Sequence, residues 1–345
     1  MDETTSEADD GALVDDPAHD PGVDEARRRA DAAGQAHAVQ IRARPGHLIR
    51  VGTAGWTDPT LTAAGVFYPR EAKTPDARLR YYASRFPVVE VDATYYALPT
   101  ARNAELWAAR TPDDFAFDVK AYAPMTGHPT EIARLPKALR EALPKELAAQ
   151  RRVYPKDLPP EIVDEIWATF RAALQPLVDA GKLRAVLLQY PRWHVPNALG
   201  RETLLDARRR LPDVRLAVEF RNRRWLAPTV ADRVFGFLAD HDMTYVMVDE
   251  PQGLASSVPP VTAVTSPGLA IVRLHGRRGD QWERRGASVA DKYRYLYDEA
   301  QLAAWAPRVA EVAQQAAETH VVFNNCYGNY GTTNAAELTA LLAEP

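Results

Sequence analysis

The sequence predicts a single (β/α)8 barrel, and three observations carry that reading. Eight short runs rich in β-branched and aromatic residues alternate with longer helix-compatible stretches from residue 47 onward. Eight such repeats in roughly 300 residues are what closes a parallel sheet on itself. The first run ends in Gly52-Thr53-Ala54-Gly55-Trp56, which is neither the GxGxxG nor the Walker loop expected after the first strand of an open doubly wound sheet. That open sheet is the alternative architecture.

The strands are expected at 48–55, 88–96, 115–122, 185–190, 215–222, 244–249, 270–276 and 320–325. Ahead of them, residues 1–22 are acidic and lack aromatics, so burial cannot offset the entropy of ordering them and disorder is expected. Residues 23–44 turn Ala- and Arg-rich and are read as a solvated helix that Pro45-Gly46 ends. The division is therefore a disordered or helical extension over 1–46 and the barrel domain over 47–343. The connection after the third strand, 124–183, is longer than one crossover needs. Its second half carries Pro160 near a helix start and Gly181 at its close. The surplus, about 129–165, is a helical insertion, read either as a lid over the barrel mouth or as a surface addition.

Composition narrows the function. Of the 345 residues, 46% are hydrophobic and 26% charged, which is ordinary for a chain that buries a core. A net charge of −4 supplies no global basic field for nucleic acid. A nucleic-acid partner would need a local patch such as Arg221 to Trp225 with Arg277, Arg278, Arg284 and Arg285. The lone cysteine, Cys326, excludes an internal disulfide framework and a Cys-rich zinc site. With no secretory pattern and no apolar run approaching about 18 residues, a cytoplasmic protein without a membrane partner is expected. Oligomeric state is not legible.

Strand alternation then sorts the side chains, because the helix-facing side of each barrel strand must be apolar. Glu90, Asp92 and Thr94 turn inward from the second strand, and Asp118 and Lys120 from the third. Gln189, Glu219 and Arg221 follow from the fourth and fifth. Asp249 closes the sixth strand, Arg273 and His275 lie on the seventh, and Asn324 or Asn325 ends the eighth. Charges are costly to bury unless paired, and these fall mostly at C-terminal strand ends, the catalytic face of this architecture.

The reading that follows is an enzyme doing acid–base chemistry, as a hydrolase, isomerase or lyase, on a small, polar, anionic or sugar-like molecule. Glu219, His275, Lys120 and Asp249 are the catalytic candidates. Trp56, Glu90, Asp92, Thr94, Tyr95, His128, Gln189, Arg221, Trp225, Arg273, Asn324 and Asn325 are the binding candidates, with Arg for an anion and aromatics for walls. Nucleic-acid binding or phosphodiester processing is the alternative, and a non-catalytic ligand-binding barrel the third. No cofactor is expected. A divalent metal on His128, His194 or His275 with Glu219 or Asp249 is conceivable, but no HxH or HExxH spacing accompanies it.

The segments GTAGW (52–56), FYP (67–69), YYASRFPVVEVDATYYALP (81–99), TPDDFAFDVKAY (111–122), LLQYP (187–191), VEFRNRRW (218–225), VRLHG (272–276), DEAQLAAWA (298–306) and FNNCYGNYGTTNAAEL (323–338) occur in the order seen in the YecE-like family, domain of unknown function 72. The chain resembles that family over about residues 48–342. The resemblance implies a TIM-type barrel, similar in architecture to the xylose-isomerase-like group, and implies no particular chemistry. The sequence departs from the family pattern at Asp92-Ala93, where Asn-Ser is more frequent, and at Gly127-His128, where Thr-His is usual. The long insertion after His128 is the third departure.

Overall fold

The structure, a computed structural model, describes residues 17–33, 41–254, 256–284 and 288–343. Of the disorder expected for 1–22, residues 1–16 lie outside those described, whereas 17–22 are ordered as the 3-10 turn Pro17–His19 and the start of a helix that Asp20 caps. Eight strands form the barrel: β1 (His47–Ala54), β2 (Val88–Val91), β3 (Ala116–Lys120), β4 (Leu183–Gln189), β5 (Leu216–Glu219), β6 (Met243–Asp249), β7 (Ala270–Leu274) and β8 (Glu318–Phe323). Each pairs in parallel with its sequence neighbours, and β1 pairs with both β8 and β2, so the sheet closes. The chain is therefore a (β/α)8 barrel, and the open sheet is excluded. Closure leaves no exposed parallel edge to cap.

The strands end earlier than the apolar runs do. The run from Val88 stops as a strand at Val91 and continues as a 3-10 turn, Ala93–Tyr95, because the chain must bend over the barrel rim. Outer helices follow the strands: Pro75–Ala83, Ala101–Ala109, Pro160–Asp179, Ala198–Arg210, Ala231–Asp240, Glu299–Ala313 and Tyr330–Ala343. Among the described residues, the connection from β6 to β7 contains no helix. The longest helix, Pro160–Asp179, starts at the expected proline and buries Ile162, Ile166, Phe170, Leu174 and Leu177 at helical spacing. Gly181 follows with φ 65°, the left-handed conformation that turns the chain into β4.

The insertion is built as a closed loop. Thr130–Glu131 pairs antiparallel with Arg152–Val153, and the short helices Lys137–Glu141 and Lys145–Ala148 lie between them. Because it leaves the C-terminal end of β3, it stands beside the barrel mouth.

The N-terminal extension differs from the solvated helix anticipated for 23–44. The helix spans Pro21–Ala32, begins on an Asp20 cap, and buries Val23 and Ala26 completely. It lies against the last barrel helix, where Thr333 donates to the Ala26 carbonyl at 3.0 Å and Arg29 pairs with Glu337 at 2.7 Å. Ile41–Arg44 is a strand, antiparallel to β1 through a turn at Pro45-Gly46. Pro-Gly joining two short β-prone runs is a hairpin signal, stronger here than helix termination. Among the described residues, no helix is long and apolar enough to cross a membrane.

Candidate active site at the barrel mouth

Two polar layers occupy the barrel interior. The lower one, near the N-terminal strand ends, joins Arg50, Asp118, Arg184, Glu318 and His320. His320 lies between two carboxylates, Nδ1 at 2.7 Å from Asp118 and Nε2 at 3.1 Å from Glu318. Burial alone would depress its pKa, but Asp118 and Glu318 raise it to about 9. Arg50 and Arg184 complete the neutralisation of Glu318.

The upper layer is built around Arg273, which is fully buried. Its guanidinium grips Glu90 through two bonds of 2.7 Å and also donates to Glu219. Glu219 is held from the other side by Arg221 Nε at 2.6 Å. Burial pushes the Glu219 carboxyl up, yet Arg221 and Arg273 outweigh it and hold the group well below the usual carboxylate range. His275 is also fully enclosed. Burial, reinforced by the Arg221 charge, holds it well below its ordinary value, so the ring is neutral. Arg221 Nη2 donates to its Nε2 at 3.0 Å, and the Asn324 carboxamide meets Nδ1 at 2.9 Å. Glu90, Glu219, Arg273 and His275 thus come together as the sequence implied, but as a buried, mutually paired ring.

Above this ring lies an open cleft of about 380 Å³. Its floor is made by Gln189 and Arg221, and its walls include His128, Trp193, Trp282 and Tyr293. Arg192, Arg284 and Lys292 line its rim, with Glu283 the one carboxylate among the lining residues. Glu283 accepts from the hydroxyl and amide of Ser256. Arg221 reaches the cleft while anchored from below, and its guanidinium stacks over the Trp282 ring at 5.1 Å. Lys120 lies beside this floor and donates to Gln189 Oε1 at 3.1 Å, with its Nζ 4.8 Å from the Tyr95 ring centre. Burial, with Arg273 nearby, lowers its pKa to about 8. Thr94 fixes the strand end by donating to the Lys120 carbonyl at 2.5 Å. Asp92 packs against Gly55: a Cβ there would stand 2.9 Å from Oδ1, and φ is 82°, so glycine is required. Burial raises the Asp92 carboxyl. His128 bonds Thr126 at 2.9 Å, and burial with the neighbouring Lys120 charge lowers it to about 3.

Several expected residues serve elsewhere. Asp249 turns away from the ring and accepts from Arg277 Nε at 2.9 Å. Its neighbour Glu250 takes the inward place, accepting from Arg221 and the Val258 amide, each at 2.7 Å. Burial raises Glu250 to about 7. Trp56 is buried edge-on against Trp107, and Trp225 is buried against Phe220 and His194. Both are rim packing rather than cleft walls. Asn325 bonds the Tyr295 carbonyl and Asn334, outside the cleft. Sequence reasoning missed Glu250, Trp193, Trp282 and Tyr293. Val248 lies in register with the inward Arg273, which puts Val246, Val248 and Glu250 on the inner face; both faces of β6 are apolar, so alternation alone could not choose between Asp249 and Glu250. Trp193 sits on a loop, while Trp282 and Tyr293 end the short helices Gly279–Trp282 and Val289–Tyr293, which are too brief for a periodicity to show. Among the described residues, no three His, Cys, Asp or Glu side chains gather as a metal-binding group.

A family model described as protein of unknown function DUF72 matches residues 50–345. The chain belongs to that family. The UPF0759 protein YunF of Bacillus subtilis (strain 168) is 32% identical over 298 residues, covering 86% of this chain and 95% of that one. Among solved structures, a DUF72 family protein of Thermotoga maritima MSB8 is similar at 29% identity and TM-score 0.67, covering 86% of this chain and all of that one. Another DUF72 family protein, from Enterococcus faecalis V583, aligns at 25% identity and TM-score 0.69 over 86% of this chain and 96% of that one. These two DUF72 structures share the fold across the barrel.

Proposed function

We propose that the mouth is the active site of a barrel enzyme acting by acid–base chemistry on a small, polar, anionic molecule such as a phosphorylated or carboxylated sugar-like compound. The observation that carries this is the charge of the cleft: four cationic side chains line it against one carboxylate, in a chain whose net charge is negative. An anion seated there replaces water on Arg221, whose geometry is already fixed by Glu219 and Glu250, so little side-chain entropy is lost on binding. Glu90, Glu219, Arg273 and His275 act as positioning residues, since each is enclosed and engaged by its neighbours. The groups bordering the cleft that titrate toward neutrality, Lys120 above all, are the candidates for proton transfer. The same reading sets the protein in the cytoplasm, where its lone thiol, Cys326, would stay reduced. Hydrolysis, isomerisation and lyase chemistry all suit these groups. Titration with inorganic phosphate and with a set of phosphorylated and carboxylated metabolites tests it, reading thermal stabilisation and product. Stabilisation by anions is expected; indifference to all of them contradicts the proposal.

A second reading, nucleic-acid binding, is favoured by Trp193, which is 53% exposed and borders three adjoining depressions at the mouth. An exposed indole beside arginines suits a base stacked over a phosphate.

A further inference from the structure

Lys120 is the last residue of β3, at the end of the barrel where reacting groups collect. The other inner cations of the upper layer are locked onto carboxylates: Arg273 onto Glu90 and Glu219, Arg221 onto Glu219 and Glu250. Among the described residues, Lys120 Nζ has no carboxylate oxygen within 4.0 Å, and its hydrogen bond goes to the neutral Gln189 Oε1. That oxygen is shared, because Arg221 Nη2 also approaches it, at 3.4 Å. One carboxamide on the cleft floor therefore holds a primary amine on one side and an anion-binding guanidinium on the other.

We propose that Lys120 is an imine-forming amine, its Nζ condensing with the carbonyl carbon of a small aldehyde or ketone whose phosphate or carboxylate sits on Arg221. This rests on the reading of the mouth as an anion site and adds the substrate class, a carbonyl compound with its anionic group a few bonds away. In the step, Nζ loses a proton and its lone pair forms the C–N bond while the carbonyl π pair moves to oxygen. The oxygen then leaves as water, so that ammonium plus carbonyl gives protonated imine plus water with no oxidant or reductant. Two features favour the reactive, uncharged amine: enclosure, and the Arg273 guanidinium close by, which together lower the pKa to about 8. The Tyr95 ring over Nζ and the Thr94 bond to the Lys120 carbonyl restrict where the amine points.

The test is reductive trapping on the full chain. The protein is incubated with sodium cyanoborohydride and either glyoxylate or pyridoxal 5′-phosphate, and the modified lysines are located by peptide mass mapping. Lys120 is expected to be labelled several-fold faster than the exposed Lys137 and Lys145, with a rate that rises through pH 8 and falls when inorganic phosphate is added. Lys120→Arg, which keeps the charge, should lose that fast label while retaining the circular dichroism of the parent. If Lys120 stays unlabelled by both probes while exposed lysines react, the proposal is overturned. Thermal stabilisation of the wild type by phosphate is read separately. Stabilisation without labelling sinks the imine and leaves the anion site standing, whereas labelling without stabilisation does the reverse.

Discussion

The two polar layers inside this barrel use similar side chains to different ends. At the base, His320, Asp118, Glu318, Arg50 and Arg184 pair with one another and border none of the mouth depressions. At the mouth, Glu90, Glu219, Arg273 and His275 do the same, yet the outermost member, Arg221, extends into a 380 Å³ cleft. Burying ions costs several kcal/mol each before pairing returns it, so neither layer is a cheap way to hold strands together. What separates them is that the upper layer ends at an open cleft, which Arg221 and Gln189 line. A charged interior is thus no mark of function by itself; the open cavity beside it is.

The sharpest way to break this comparison is to remove the hub. Arg273→Met leaves Glu90 and Glu219 buried with unsatisfied charge, and urea denaturation should show a loss of about 3–5 kcal/mol. Arg50→Met should cost less, because Arg184 and His320 still face Glu318. Equal losses would mean that the upper ring is no more tightly coupled than the base.

The two layers should also respond to pH with opposite sign. His320 binds its proton more tightly folded than unfolded, so its contribution is complete below about pH 6.5 and is lost as pH rises through about 9. Lys120 binds its proton less tightly folded, so between about pH 8 and 10.5 the unfolded chain holds more protons and stability rises with pH. Stability measured across pH 6 to 10 should lose its falling component in His320→Gln and its rising component in Lys120→Met. Unchanged profiles would remove the charge assignments of both layers.

The smallest effect on folding is expected at the rim. Trp193→Ala should change stability by no more than about 0.5 kcal/mol, since the indole is largely exposed. If the mouth holds nucleic acid, the same change should abolish a binding to single-stranded DNA that weakens steeply with salt. If it holds small anions, no such binding is seen.

Much of the fold could be read before any coordinates, because each β-branched run is punctuated by helix-compatible sequence and barrel closure follows from their number. The inward parity of Glu90, Lys120, Glu219, Arg221, Arg273 and His275 was legible for the same reason: alternation is local. Which of those would be sealed and which left open was not, since Arg273 and Glu90 are 183 positions apart and their pairing depends on the barrel's register. Tryptophan near a strand end gave no direction either. Trp56 and Trp225 turned inward to pack, while Trp193, on a loop, and Trp282, at the end of a four-residue helix, came to line the cleft.

Phosphate titration of three proteins, followed by thermal denaturation, tests the central claim most directly: the wild type, Arg221→Lys at the mouth and Arg50→Lys at the base. The mouth variant should lose at least tenfold in apparent affinity, about 1.4 kcal/mol, because lysine cannot reproduce the bidentate guanidinium, while the base variant binds as the wild type does. No stabilisation of the wild type, or equal loss in both variants, would contradict the assignment of ligand binding to the mouth alone.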